Sequence, residues 1–156
     1  LFFLIIRAPQ ISSQVYSSGA YFVFNWDDYD ELISQYKAMI ANSGTQCYII
    51  IGDTDNPDEA IDSENYNSSK EVGLNDTLWE AALREAFGDH FINMRTYLMQ
   101  NALDITGKEA NETDIENLLD GRVPDSIKYY YTHLNGYGYY AYGAGVYEKG
   151  VELGYW

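Results

Sequence analysis

The stretch CYIIIGDTDN, Cys47 to Asn56, decides the fold. Its first half is short and apolar throughout, as in a strand of a parallel sheet covered on both faces. It runs straight into Gly52-Asp53-Thr54, a polar exit of the kind that carries a strand into a functional loop. Just upstream the period changes. Leu32, Ile33, Tyr36, Met39 and Ile40 fall at i, i+1, i+4, i+7 and i+8, which predicts a helix over 28–42. Asp28 with Glu31 resembles a capping box, and Gly44 is placed to stop the helix.

Further out, residues 1–7 and the run AYFVFN (20–25) read as strands, separated by a polar stretch with Pro9 and several serines. Residues 53–73 form a long acidic loop. A second helix is expected from Asn75 or Asp76 to Phe87, with Leu78, Trp79, Ala82, Leu83 and Ala86 as its apolar stripe and Gly88 as its end. HFINM (90–94) reads as another short strand, and 95–103 as a helix. Thr113 and Glu116 are placed to cap a further helix carrying Ile115, Leu118 and Leu119, closed by Gly121 and Pro124. The last helix is expected over about 136–153, and Gly138, Gly143, Gly145 and Gly150 within it imply close packing on a sheet or an irregular segment. Strands alternating with helices give one α/β domain, 1–156, with a parallel sheet.

Composition narrows the function. A net charge of −15, with nine Lys and Arg scattered along the chain, argues against nucleic acid and anionic membrane surfaces as partners. The single cysteine, Cys47, excludes an internal disulfide, a CxxC redox motif and a cysteine-rich zinc site. The opening LFFLII is too short to span a bilayer and lacks the features of a signal peptide. Starting on Leu and entering a strand directly, the sequence is expected to be N-terminally incomplete. Sequons at Asn67, Asn75 and Asn111 matter only in a secreted eukaryotic setting. DTDNPDEAIDSE (53–64) starts like a calcium loop but lacks its glycine and its final glutamate spacing, so no metal or cofactor is expected.

Two histidines are available for acid–base chemistry. His90, at a strand edge after Phe87-Gly88-Asp89, has a structural role as its expected one. His133, in YYYTHLNGYGYY (129–140), lies just ahead of a helix, where an imidazole is placed to act as general base toward a neighbouring loop. Seven of the sixteen tyrosines crowd at 129–131 and 137–142. Packing of the last helix is their expected role, and a sugar-stacking surface is the alternative.

From Phe87 onward the chain reads FGDHFINMRTYL, then ENLLDGRVPDSI, then THLNGYGYYAYGAGVYEKGVELGY. This resembles the C-terminal half of the SGNH (GDSL-type) hydrolases, which are serine esterases and acylhydrolases. DDYDELISQYKAMI followed by YIIIG is similar to that family's middle, so the likeness covers roughly residues 20–156. It implies a flavodoxin-like three-layer sandwich with a mostly parallel sheet lacking its first strand. It also implies ester hydrolysis, with a small ester or an acylated carbohydrate as substrate. Matched by position, His133 is the catalytic base and Asn25 the oxyanion-hole donor, although Val23 stands where that block has glycine.

Two departures count against activity. The family's Asp, three residues before the histidine, is Tyr130 here, and Asp125 substitutes only if its loop folds back. No Gly-Asp-Ser occurs in residues 1–25, and Gly52-Asp53-Thr54 follows an internal strand, which argues against Thr54 as nucleophile. The chain is therefore expected to be an inactive esterase portion. The alternative is a non-catalytic glycan-binding or interaction module of the same fold, with self-association through an exposed sheet edge as an option.

Overall fold

In the computed structural model, which describes residues 4–7, 29–54, 69–130 and 132–156, the elements follow in the order β1 (Leu4–Arg7), α1 (Tyr29–Ser43), β2 (Tyr48–Ile51) and α2 (Ser69–Val72). Then come α3 (Leu78–Phe87), β3 (Phe91–Ile92), α4 (Met94–Thr106) and α5 (Glu112–Leu119). The chain ends with β4 (Lys128–Tyr130), β5 (His133–Leu134) and α6 (Gly136–Glu152). Strand β2 is the centre of a three-stranded parallel sheet in the order β1-β2-β3, with Ile49 across from Ile5 and Ile51 across from Ile92.

The two-residue period of β2 divides the core. Ile49 and Ile51 point to one side, where Leu98, Met99 and Ala102 of α4 and Ala141 of α6 meet them. Ile50 points to the other, against Leu32, Ile33 and Tyr36 of α1 and Trp79, Leu83 and Phe87 of α3. All three isoleucines are buried to 2% exposure or less. Burial of each such side chain contributes roughly 1.5–3 kcal/mol, so β2 is the apolar axis of the fold.

The expectation of a flavodoxin-like sandwich on a mostly parallel sheet is corrected. Helix dominates the described residues, the strands are two to four residues long, and β4–β5 is a separate antiparallel pair. Short apolar runs do not fix strand length. Of HFINM, only Phe91 and Ile92 are strand, because His90 closes a 3-10 turn and the Asn93 side chain accepts the Thr96 N–H to cap α4. The proposed strand at 20–25 lies outside the described residues. The expected capping pair Thr113 and Glu116 is displaced by two residues, since Asn111 and Asp114 form the capping box of α5.

A buried ion pair fastens the helices together. Glu80 and Arg95 are 1% and 0% exposed, and the guanidinium meets the carboxylate through Nε–Oε1 and a second nitrogen–Oε2 bond, both 2.8 Å. Its remaining N–H groups donate to the carbonyls of Gly73, Asn75 and Gly121 at 2.7–2.8 Å. Glu80 also closes the capping box of α3 by accepting the Thr77 N–H. One side chain thus joins α3, α4 and two loops.

Beside this pair, Asp76 accepts hydrogen bonds from Arg84 and from the Asn93 amide. The Arg84 bond is the main reason its carboxyl is held below the usual carboxylate range, partial burial acting in the opposite sense. A lowered native value stabilises the fold above the unfolded value, and that contribution is lost as pH falls through the native one. The stability gap between wild type and Asp76→Asn, read by urea unfolding, is therefore expected to hold near neutrality and to close below about pH 4. A gap that stays constant down the acid limb would contradict this.

The glycines of α6 are contact points. A Cβ on Gly145 would stand 2.7 Å from the Tyr97 ring of α4, one on Gly150 would enter the Trp156 ring, and one on Gly138 would enter the Ile127 carbonyl. Helix α6 therefore packs closely on α4, on the chain before β4 and on the C-terminus, besides the sheet. Gly143 meets nothing within 4 Å.

Candidate functional site

The carboxyl end of β2 is where polar groups gather. Gly52 donates its N–H to the Ile92 carbonyl at 2.9 Å, and a Cβ at this position would press on the Phe91 ring. Asp53 and Thr54 follow, buried to 3% and 0% exposure. Below them lies Tyr36 of α1, whose phenol is pushed up above its ordinary pKa, first by burial and then by the Asp53 carboxylate. The phenol therefore stays protonated.

The loop reaches across the chain at its last residue. The Thr54 hydroxyl donates to the Thr132 carbonyl over 3.4 Å, which sets the β4–β5 hairpin beside the end of β2. Thr132 and Leu134 are buried, whereas His133 between them is exposed, as alternation along a strand requires. Across the antiparallel pair, Tyr130 is the register partner of His133. The pairing sets residue 130 opposite His133 across the hairpin, next to a register shift between Lys128 and Tyr130. Tyr130 is itself 72% exposed.

The base of the hairpin is tied by Asn135. Its side-chain oxygen accepts the N–H groups of Tyr137 and Gly138, and its amide donates to the carbonyls of Ser126 and Lys128. This one residue caps α6 and fixes both strands ahead of it.

No family model, curated protein or solved structure matches this chain.

His133 is on the surface, and among the described residues neither a hydrogen bond nor an ion pair reaches its imidazole. Asp125 opens a 3-10 turn, is exposed, and makes no such contact with His133. Asn25 lies outside the described residues, as do Ser12, Ser13, Ser17, Ser18 and most of the acidic loop. Thr54 is unsuited to nucleophilic attack, being fully buried with its proton directed at a peptide carbonyl. His90 is held by stacking on Tyr48 at 4.0 Å, and its Nδ1 lies 3.0 Å from the Tyr48 carbonyl and 2.9 Å from the Tyr155 hydroxyl. That is an anchor for the C-terminus.

Tyr142 packs against the core as expected, but most tyrosines near it depart from that role. Tyr129, Tyr130, Tyr137, Tyr139, Tyr140 and Tyr147 are all more than half exposed. Tyr137 and Tyr140 wall a groove of about 530 Å³ together with Ile105 and Thr106 of α4 and the turn Asn135-Gly136. Among the described residues, no three His, Cys, Asp or Glu side chains are grouped to hold a metal. None of the described helices is long and apolar enough to cross a membrane.

Sequence reasoning missed Glu80 and Arg95. The signal was there for Arg95, which occupies the same helical stripe as Leu98, Met99 and Ala102. A charge on an apolar stripe implies a buried partner. Glu80 had a second signal, standing three residues after Thr77 in a capping-box pattern.

Proposed function

We propose that this chain carries the base side of an SGNH-type ester-hydrolase site, with His133 as the base and a small ester or acylated carbohydrate as substrate. The observation that supports this most is the docking of the His133 hairpin against the loop leaving β2, joined through Thr54 and Thr132. The carboxyl ends of parallel strands are where α/β sheets collect reacting groups. Asn25 is the proposed oxyanion-hole donor on the sequence resemblance alone.

In this reading, Tyr130 holds the position of the family's acid. A phenol accepts a hydrogen bond but brings no negative charge to stabilise an imidazolium, and the sequence holds no Gly-Asp-Ser nucleophile block, so turnover by the chain is negligible. The test is hydrolysis of p-nitrophenyl acetate. Wild type is expected to be no faster than an equal concentration of free imidazole. Saturable turnover that vanishes in His133→Ala would show a complete site and overturn the role given to Tyr130.

A second reading, a non-catalytic glycan-binding module, draws support from the exposed Tyr129 and Tyr130 of the hairpin. Glycan binding that survives His133→Ala, without turnover, would favour it.

A further inference from the structure

The groove between the end of α4 and the start of α6 has a chemistry separate from ester turnover. Its walls are the Ile105 side chain and the Tyr137 and Tyr140 rings. The polar side chains in its lining are already committed. The Thr106 hydroxyl bonds to the carbonyls of Ala102 and Leu103, and both ends of the Asn135 amide are bonded to backbone. A ligand entering the groove therefore meets apolar surface on its body, and the exposed phenol rims offer the hydrogen bonds that remain.

Above one wall stands a cation. The Lys108 ammonium lies 4.1 Å from the centre of the Tyr137 ring, and no ion pair engages it among the described residues. In a chain of net charge −15, an ammonium without a carboxylate partner beside an apolar groove is the local exception to the field around it. A neutral apolar ligand would leave that charge unused, and a cation would be opposed by it. A sugar would lack enough uncommitted polar groups to replace its hydration.

We propose that this groove binds a small apolar carboxylate, with an aliphatic or aromatic body between Ile105, Tyr137 and Tyr140 and the carboxylate at Lys108. The recognition combines burial of the body with one charge-assisted contact at the rim.

Sodium octanoate is the probe, with 1-octanol as its uncharged counterpart and methyl β-glucoside as the sugar. Calorimetric titration of the whole chain is expected to show one saturable octanoate site with a dissociation constant of about 1 mM or tighter. Octanol should bind about tenfold more weakly, and Lys108→Gln should bring octanoate to the octanol level, since a charge-assisted contact is worth about a factor of ten. Tyr140→Ala should weaken both ligands. Tyr140 is exposed and Lys108 half-buried, and circular dichroism verifies that each variant folds; if Tyr140→Ala does not, Lys108→Gln decides the matter. The proposal is overturned by no saturable octanoate binding, by equal binding of octanol, by octanoate binding that Lys108→Gln leaves unchanged, or by tighter binding of the glucoside.

Discussion

Arg95→Met is expected to lower the unfolding free energy by about 3–5 kcal/mol, the usual cost of removing one partner from a buried ion pair. The variant leaves the Glu80 carboxylate, 1% exposed, with no counter-charge. It also frees the carbonyls of Gly73, Asn75 and Gly121 from their donors. Because Glu80 is also the closing member of the α3 capping box, the loss spreads into the start of that helix. Urea unfolding reads the effect as a midpoint lowered by on the order of 2 M. Adding Glu80→Gln to Arg95→Met should recover part of the loss, because the uncompensated charge is then gone. A midpoint shift corresponding to less than about 1 kcal/mol would mean that the pair is solvated and does not fasten the helices.

The second large effect is at Gly138. Its Cβ position is occupied by the Ile127 carbonyl and stands 2.9 Å from the Leu134 Cβ, so Gly138→Ala must push the first turn of α6 off the chain beneath it. The same carbonyl accepts the Asn135 N–H at 3.0 Å, and that bond closes the base of the His133 hairpin. Overpacking of this kind costs about 1–3 kcal/mol, and the upper end is expected here because the neighbour is backbone. Gly143→Ala, on the same helix with open space around it, should instead stabilise by up to about 1 kcal/mol, the difference in helix propensity. Paired thermal melts separate the two, and equal signs would contradict the packing of α6 described above.

The helices were largely legible in the sequence, and the strands much less so. Helix α1 starts and stops within one residue of the range given by its apolar stripe and Gly44, whose φ of +66° confirms the stop. Helix α6 was also foreseen, because its glycines do not interrupt it where they meet Ile127, Tyr97 and Trp156. Strand length was not legible, since an apolar run of four or five residues serves as strand, turn or cap alike. The antiparallel pairing of Lys128–Tyr130 with His133–Leu134 was hidden for a different reason. Its residues are mostly tyrosine and polar, with one exposed face, so no apolar alternation marked it. Of the site, the sequence offered His133 and the substitution at position 130. Their opposition across a hairpin, and the link from Thr132 to Thr54, depend on register and a contact spanning 78 residues.

The proposed site rests on position 130 being the acid position for His133. The direct measurement is kcat/KM for p-nitrophenyl acetate in wild type, Tyr130→Asp, His133→Ala and the double variant. Tyr130→Asp is expected to raise the value about tenfold, well under the ~10⁴-fold effect of a buried orienting carboxylate, because residue 130 is solvent-exposed. The gain should disappear entirely in the double variant. A folded Tyr130→Asp protein that shows no gain, or a gain that persists without His133, would contradict the pairing of these two residues as a catalytic unit.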